Sequence, residues 1–291
     1  MIKVYYCEEQ VVDQGKQSFG FIKSPSGLKP KQLADKLSKL PGIQFIKPQP
    51  VNKADFKICH DSKYVDGIFD LKIENGFGNK SQSVNDSLLY TNGAMLDAAE
   101  AARSDNPTCA LVSGFHHAGY RHWIGLGYFC TFNGLMLTAF KFTSAHKKVA
   151  IIDCDMHWGN GTDDILDEFG KPSNILHISF GRLYTNPSYS KSYLSDLSMG
   201  GIVYSMLSAF KPNIILYQAG ADVHIDDPYG GVLTTEQIYE RDYKMFTIAQ
   251  KLRIPIAWNL AGGYQIAKDG SIDKVLEIHL NTFKACEEVY K

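Results

Sequence analysis

The sequence predicts an α/β fold: a single domain with a mostly parallel central sheet flanked by helices. Three observations predict it. Short apolar runs rich in β-branched residues recur through the second half of the chain, and such runs suit strands buried on both faces. Stretches with helical character lie between them, and alternation of strand and helix builds a parallel sheet with helices on both sides. No linker, repeat or low-complexity tract divides the 291 residues, so one domain over 1–291 is expected. A chain of that length can bury a large core without disulfide or metal staples.

Taken in order, residues 2–7 read as a strand and 30–40 (PKQLADKLSKL) as a helix opened by a proline. Residues 20–30 and 74–83 are rich in Gly, Ser and Asn and read as loops. Strands are expected at 109–113 (CALVS), 148–153 (KVAIID), 174–179 (NILHIS), 213–218 (NIILYQ) and 254–260 (IPIAWNL). Helices are expected at 84–104, 131–145, 161–169, 197–210, 234–252 and 271–289. Thr234 and Gln237 have the spacing of a capping box at the start of one of them. In the last, Ile272, Val275, Leu276, His279 and Leu280 share one face at a period of about 3.6 residues.

Composition narrows the function classes. The chain is 44% hydrophobic with a formal net charge of −1, which argues against disorder and leaves no global field to hold nucleic acid or anionic lipid. No apolar run approaches the ~18 residues of a membrane span. The segment Met1–Glu9 lacks the apolar stretch of a signal peptide. Six cysteines are scattered without a C-x-x-C pair, so they read as small buried hydrophobes of a reduced, cytoplasmic protein. Oligomeric state has no signature in the sequence.

Polar clusters follow four of the five strand runs directly. They are Gly114-Phe115-His116-His117-Ala118, Asp153-Cys154-Asp155-Met156-His157, Ala221-Asp222-Val223-His224 with Asp226-Asp227, and Ala261-Gly262-Gly263-Tyr264. In a parallel sheet the strand ends share one edge, where open α/β folds build their sites. Side chains alternate along extended backbone, so Asp153, Asp155 and His157 project to one side, and Cys154 and Met156 to the other. Asp and His are zinc ligands, and residues two apart can share a metal. Asp222 is well placed as a third ligand, and three protein ligands leave a fourth position for water, as in catalytic zinc sites.

Beside such a metal, one of His116 and His117 could accept a proton from water and the other supply positive charge. Each needs a partner on its far nitrogen, and Asp153 and Asn160 are the candidates. Two glycines before Tyr264 let backbone approach closely, and its hydroxyl could donate to an oxyanion. His60, His122, His146, His177 and His279 show no partner pattern and read as structural. His224 is ambiguous, because its segment is implicated while Asp222 is the better ligand. No Rossmann, Walker or G-x-S-x-G pattern is present.

Five motifs carry a resemblance: G-F-H-H-A at 114–118, G-Y-F-C-x-F-N at 127–133, I-D-x-D-x-H-x-G-N-G-T at 152–162, A-G-x-D-x-H-x-D-D-P-x-G-G at 219–231 and L-A-G-G-Y-Q at 260–265. Together they resemble the histone deacetylase superfamily, including the bacterial acetylpolyamine amidohydrolases. Gly-Gly-Tyr-Gln and the pair Arg241-Asp242 look closest to its class IV branch. The resemblance implies an arginase–deacetylase fold with one catalytic zinc held by Asp155, His157 and Asp222. It implies His117 as general base partnered by Asn160, and His116 as its neighbour paired with Asp153. It implies Tyr264 as the carbonyl-polarising group, and substrate contacts at Phe129, Gly127 and Gly263. A potassium ion beside the metal segment would draw on Asp153 and Ser179. Trp158 departs from the family, which usually has a second histidine there, and the N-terminal region lacks the family's His/Pro/Arg loop.

The expected activity is zinc-dependent hydrolysis of the amide of N-acetyl-lysine or a related acylated amine. Acetylpolyamine amidohydrolase and long-chain lysine deacylase are alternatives. Rivals of other classes are a dimanganese ureohydrolase, disfavoured because His224 replaces the second Asp of D-x-D, and a non-catalytic metal-containing binding module.

Overall fold

The structure is a computed structural model and describes residues 1–12, 27–104, 107–112, 117–123 and 130–291. Among the described residues its spine is seven short, largely apolar strands: β1 (Ile2–Tyr5), β2 (Ile43–Ile46), β3 (Thr108–Ala110), β4 (Val149–Asp153), β5 (Ile175–Ser179), β6 (Ile214–Gly220) and β7 (Ile256–Ala261). They form one sheet in the order β2-β1-β3-β7-β6-β4-β5, and every pairing is parallel. The expected α/β class therefore holds, with the sheet wholly rather than mostly parallel.

Eleven helices are present among the described residues. They are α1 (Lys29–Leu37), α2 (Lys53–Phe56), α3 (Ser62–Phe69), α4 (Gln82–Ala102), α5 (Gly134–Thr143), α6 (Asn160–Glu168), α7 (Phe180–Leu183), α8 (Ser190–Asp196), α9 (Ile202–Phe210), α10 (Thr235–Leu252) and α11 (Asp273–Tyr290). They cover both faces of the sheet. The alternation of a strand sends Ile152, Tyr217 and Trp258 into a core shared with α8 to α11, and Ile151, Leu216 and Ala257 into a second core under α3 to α6. Every residue of β4, β6 and β7 is buried, which is why these strands carry continuous apolar runs. The edge strands β2 and β5 are only partly covered.

Several boundaries differ from expectation. Strand β2 and helices α2 and α3 were not anticipated. The β2 run IQFI is four residues long and lies half-exposed at an edge, so no long apolar signal marks it. Helix α4 begins at Gln82, inside a stretch that reads as loop. The helix expected at 197–210 starts only at Ile202. Gly200 turns the chain at φ 84°, and a side chain on Gly201 would strike the carbonyl of Ser195, so α8 and α9 are separate. Thr234 caps α10 as its spacing predicts: it accepts from Gln237 N, and Gln237 returns the bond to Thr234 N at 3.0 Å.

Candidate active site

Strands β3, β7, β6 and β4 are neighbours, and the register aligns Asp153 with Gln218 and Gly220 with Ala261. The segments that follow them thus emerge side by side at one sheet edge. Cys154 still bonds to the ladder, its N–H donating to Gln218 O at 3.0 Å. Beyond it the chains diverge, and the polar residues occupy the space. Cys154 and Met156 turn into the apolar core, as the alternation predicts.

Asp155, His157 and Asp222 each offer one donor atom, all within 4.8 Å of one another. His157 Nδ1 lies 2.8 Å from Asp222 Oδ2 and 3.2 Å from Asp155 Oδ1. Backbone fixes both carboxylates: Met156 N donates to Asp222 Oδ1 at 3.0 Å, and His157 N to Asp155 Oδ1 at 2.9 Å. Both aspartates are buried, while the His157 side chain is 44% exposed, so the cluster opens to solvent on the imidazole side.

His117 stands beside this cluster. Its Nδ1 is 2.7 Å from Asp153 Oδ2 and its Nε2 is 3.6 Å from Asp155 Oδ1. This corrects the implied pairing. Asp153 closes β4 at the same edge and its carboxylate reaches His117 directly, whereas Asn160 opens α6 and its buried Oδ1 has no hydrogen-bond partner among the described residues. His116, Gly127 and Phe129 lie outside the described residues.

Tyr264 follows β7 and sets its ring edge-on to His157, with centroids 5.9 Å apart. Asp227 places it: Oδ2 accepts from Tyr264 N at 2.7 Å, and Oδ1 from Tyr229 N at 3.0 Å. The two glycines before it earn their positions. Gly262 and Gly263 have φ of 51° and 86°, and a Cβ on Gly262 would collide with the Asp222 carboxylate. Ser179 sits opposite Asp153 in the β4–β5 register, and its Oγ accepts from Gly159 N at 3.0 Å. Trp158 points away from the cluster, donating to Asp163 Oδ2 at 2.8 Å beneath the guanidinium of Arg182.

Two residues here escaped the sequence reading. Lys29, the first residue of α1, is fully buried and donates its ammonium to Gly262 O. Burial pushes its pKa down to about 8, against the opposing charges of Asp222, Asp155 and Asp227. Asp227 is the other; nothing in the run Asp226-Asp227-Pro228 separates it from an ordinary turn carboxylate.

The charges explain what the cluster can hold. Burial alone would lower the His157 pKa, but hydrogen bonds to Asp155 and Asp222 outweigh it and raise it to about 11. Burial, and then the charge of Asp155, push the Asp222 carboxyl up. Burial opposes the charged form of His117 too, yet Asp153 and Asp155 lift it to about 9. Burial and the charges of Asp222 and Asp155 raise the Tyr264 hydroxyl well above its usual range, so it stays protonated. The carboxylates favour a proton on His157, His117 and Tyr264, while, against the effect of burial, the two imidazoles hold the Asp155 carboxyl down. Such a concentration of buried negative charge is suited to a divalent cation. One imidazole nitrogen and two carboxylates match the donor set of zinc.

Comparison with known proteins bears on the family and the fold. The histone deacetylase domain profile matches residues 26–192 and 187–281. An uncharacterized protein of Picosynechococcus is 26% identical over 85% of this chain and 86% of its own length. Histone deacetylase 15 of Arabidopsis thaliana is 27% identical over 69% of this chain, and a probable deacetylase of Methanothermobacter thermautotrophicus is 25% identical over 67%. The chain spans 42% of the Arabidopsis protein and 67% of the archaeal one. Among solved structures, the HD domain of HDA15 superimposes with a TM-score of 0.78 at 19% identity, over 99% of this chain and 90% of that one. Acetylpolyamine aminohydrolase from Burkholderia pseudomallei superimposes with a TM-score of 0.75 at 16% identity, over 99% of both. With its wholly parallel sheet and an Asp–His–Asp cluster at the strand ends, this chain belongs to the histone deacetylase domain family.

Proposed function

We propose that this chain is a zinc-dependent amidohydrolase that removes an acyl group, most simply acetyl, from a primary amine such as a lysine side chain. The observation that carries the reading is the Asp155–His157–Asp222 cluster next to the Asp153–His117 dyad. Zinc in the cluster would supply Lewis acidity to the amide carbonyl and to an attacking water. The remaining chemistry is the protein's. Asp153 accepts from Nδ1–H of His117, which fixes the tautomer and leaves Nε2 as the proton acceptor on the cluster side. A dication beside Asp155 would offset the carboxylate charges that hold His117 up to about 9 and favour its neutral, basic form. The protonated Tyr264 hydroxyl would donate to the developing oxyanion, and the imidazolium of His117 would return a proton to the leaving amine. Potassium beside Asp153 and Ser179 belongs to the same proposal, as does a cytoplasmic location.

A dinuclear ureohydrolase fits less well. His224 Nε2 is 3.0 Å from Thr235 Oγ1, and its Nδ1 accepts from Asp226 N at 3.1 Å, so both nitrogens are already engaged. The test is a panel of acetyl-lysine peptides, longer acyl-lysine peptides and acetylpolyamines with zinc-loaded protein. Turnover is expected on at least one class. His117→Ala and Tyr264→Phe should each lower kcat by about 100-fold or more while zinc stays bound. No turnover on any class, or unaffected variants, would overturn the reading.

A further inference from the structure

Where β4 and β6 part to make room for the cluster, two backbone carbonyls lose their place in the ladder. They belong to Cys154, one residue before Asp155, and Gly220, two residues before Asp222. A single side chain from α10 serves both. Arg241 is wholly buried, and its Nη1 donates to Gly220 O at 2.6 Å and to Cys154 O at 3.2 Å. Tyr193 of α8 adds a hydroxyl bond to Cys154 O at 3.3 Å.

The arginine is itself held rigidly. Its Nε and Nη2 both lie 2.8 Å from Asp242 Oδ1. Asp242 in turn accepts from the Tyr217 hydroxyl and from Thr282 Oγ1, the latter at 2.6 Å, which ties the pair to β6 and α11. A planar guanidinium with fixed N–H directions is stiffer than a lysine ammonium.

We infer that Arg241 is a positioning residue that sets the separation of the Asp155 and Asp222 segments and thereby the affinity of the cluster for its metal ion. The inference rests on the metal reading given above, and it concerns how the ligands are spaced rather than which amide is cleaved. Outer partners of metal ligands commonly govern affinity by about 10- to 100-fold when removed.

Removing Arg241 alone would strand the Asp242 charge in the core, so the informative variant changes both partners. Arg241→Met with Asp242→Asn removes the clamp, and the Asn side chain still offers its oxygen to Tyr217 and an N–H to the Thr282 hydroxyl, which can donate to Ile278 O instead. Zinc affinity is read by competition with a chromophoric chelator, and ligand geometry by the visible spectrum of the Co2+-loaded protein. Thermal melting of the metal-free proteins reports folding. We expect a folded double variant with zinc affinity reduced about 10- to 100-fold and an altered Co2+ spectrum. Arg241→Lys keeps the charge but reaches fewer carbonyls; it should lose affinity by about 3- to 10-fold and shift the same spectrum. A folded double variant with wild-type affinity sinks the inference. Should the double variant fail to fold, an unchanged affinity and Co2+ spectrum in Arg241→Lys does the same. If the wild-type protein takes up no metal, the metal reading fails and the clamp fails with it. Metal uptake without amidase activity would count against the proposed function alone.

Discussion

His60 shows how a residue with no sequence signature becomes structural. It lies buried between α2 and α3, where Nδ1 meets Tyr120 O at 2.8 Å and Nε2 accepts from Asn133 N at 2.9 Å. Both partners are backbone groups distant in the chain, so no spacing could announce them. Burial lowers its pKa to about 4, against about 6.5 in an unfolded chain. The folded state therefore refuses a proton that the unfolded state accepts between those values. Its contribution is present above about pH 6.5 and lost as the pH falls toward 4. Between pH 7 and pH 5 this one group should cost about 2 kcal/mol of stability. Urea unfolding of wild-type protein and His60→Gln at the two pH values checks it; the variant should show the smaller loss, and equal losses would refute the assignment. The same contrast separates legible from illegible residues at the candidate site. The D-x-H spacing exposes Asp155 and His157 because strand alternation is local. The pairing of His117 with Asp153 instead of Asn160 depends on how two separate segments approach, which spacing does not encode. Lys29 reaches Gly262 from the far N-terminal side, and no motif links them.

At the scale of the element, the strand ends were the most readable feature. Continuous apolar runs gave way to polar residues, and β4, β6 and β7 do end where the cluster begins. The short edge strand and the break between α8 and α9 were not readable, because one carries four half-exposed residues and the other depends on a turn at Gly200. The turn after β7 makes the sharpest demand on its sequence. Gly262 holds a left-handed conformation, leaves room for the Asp222 carboxylate and offers its carbonyl to Lys29. Gly262→Ala should therefore displace either Asp222 or the Tyr264 turn. Isothermal titration with zinc should show affinity lowered about 10-fold or more, and wild-type affinity would count against this account of the turn.

Over the whole molecule, the class of fold was legible because strands and helices alternate, but the order of the strands was not. Sequence alone places β3 and β4 next to each other in the chain; in the sheet two other strands separate them. Strand β7, the last of the described strands, sits between β3 and β6 and pairs Cys109 with Trp258 on one side and Trp258 with Tyr217 on the other. Until it arrives there are two unjoined half-sheets, β2-β1-β3 and β6-β4-β5, each with a bare hydrogen-bonding edge. Closing the sheet depends on contacts remote in sequence, which form slowly, and until then those edges are open to pairing with other chains. Pulsed hydrogen exchange during refolding should find the β7 amides protected no earlier than those of β4 and β6; early protection of β7 would contradict this order. Strand β7 is thus the keystone of the sheet, and because Tyr264 follows it directly, the residue proposed to donate to the oxyanion takes its place only once the two half-sheets are joined.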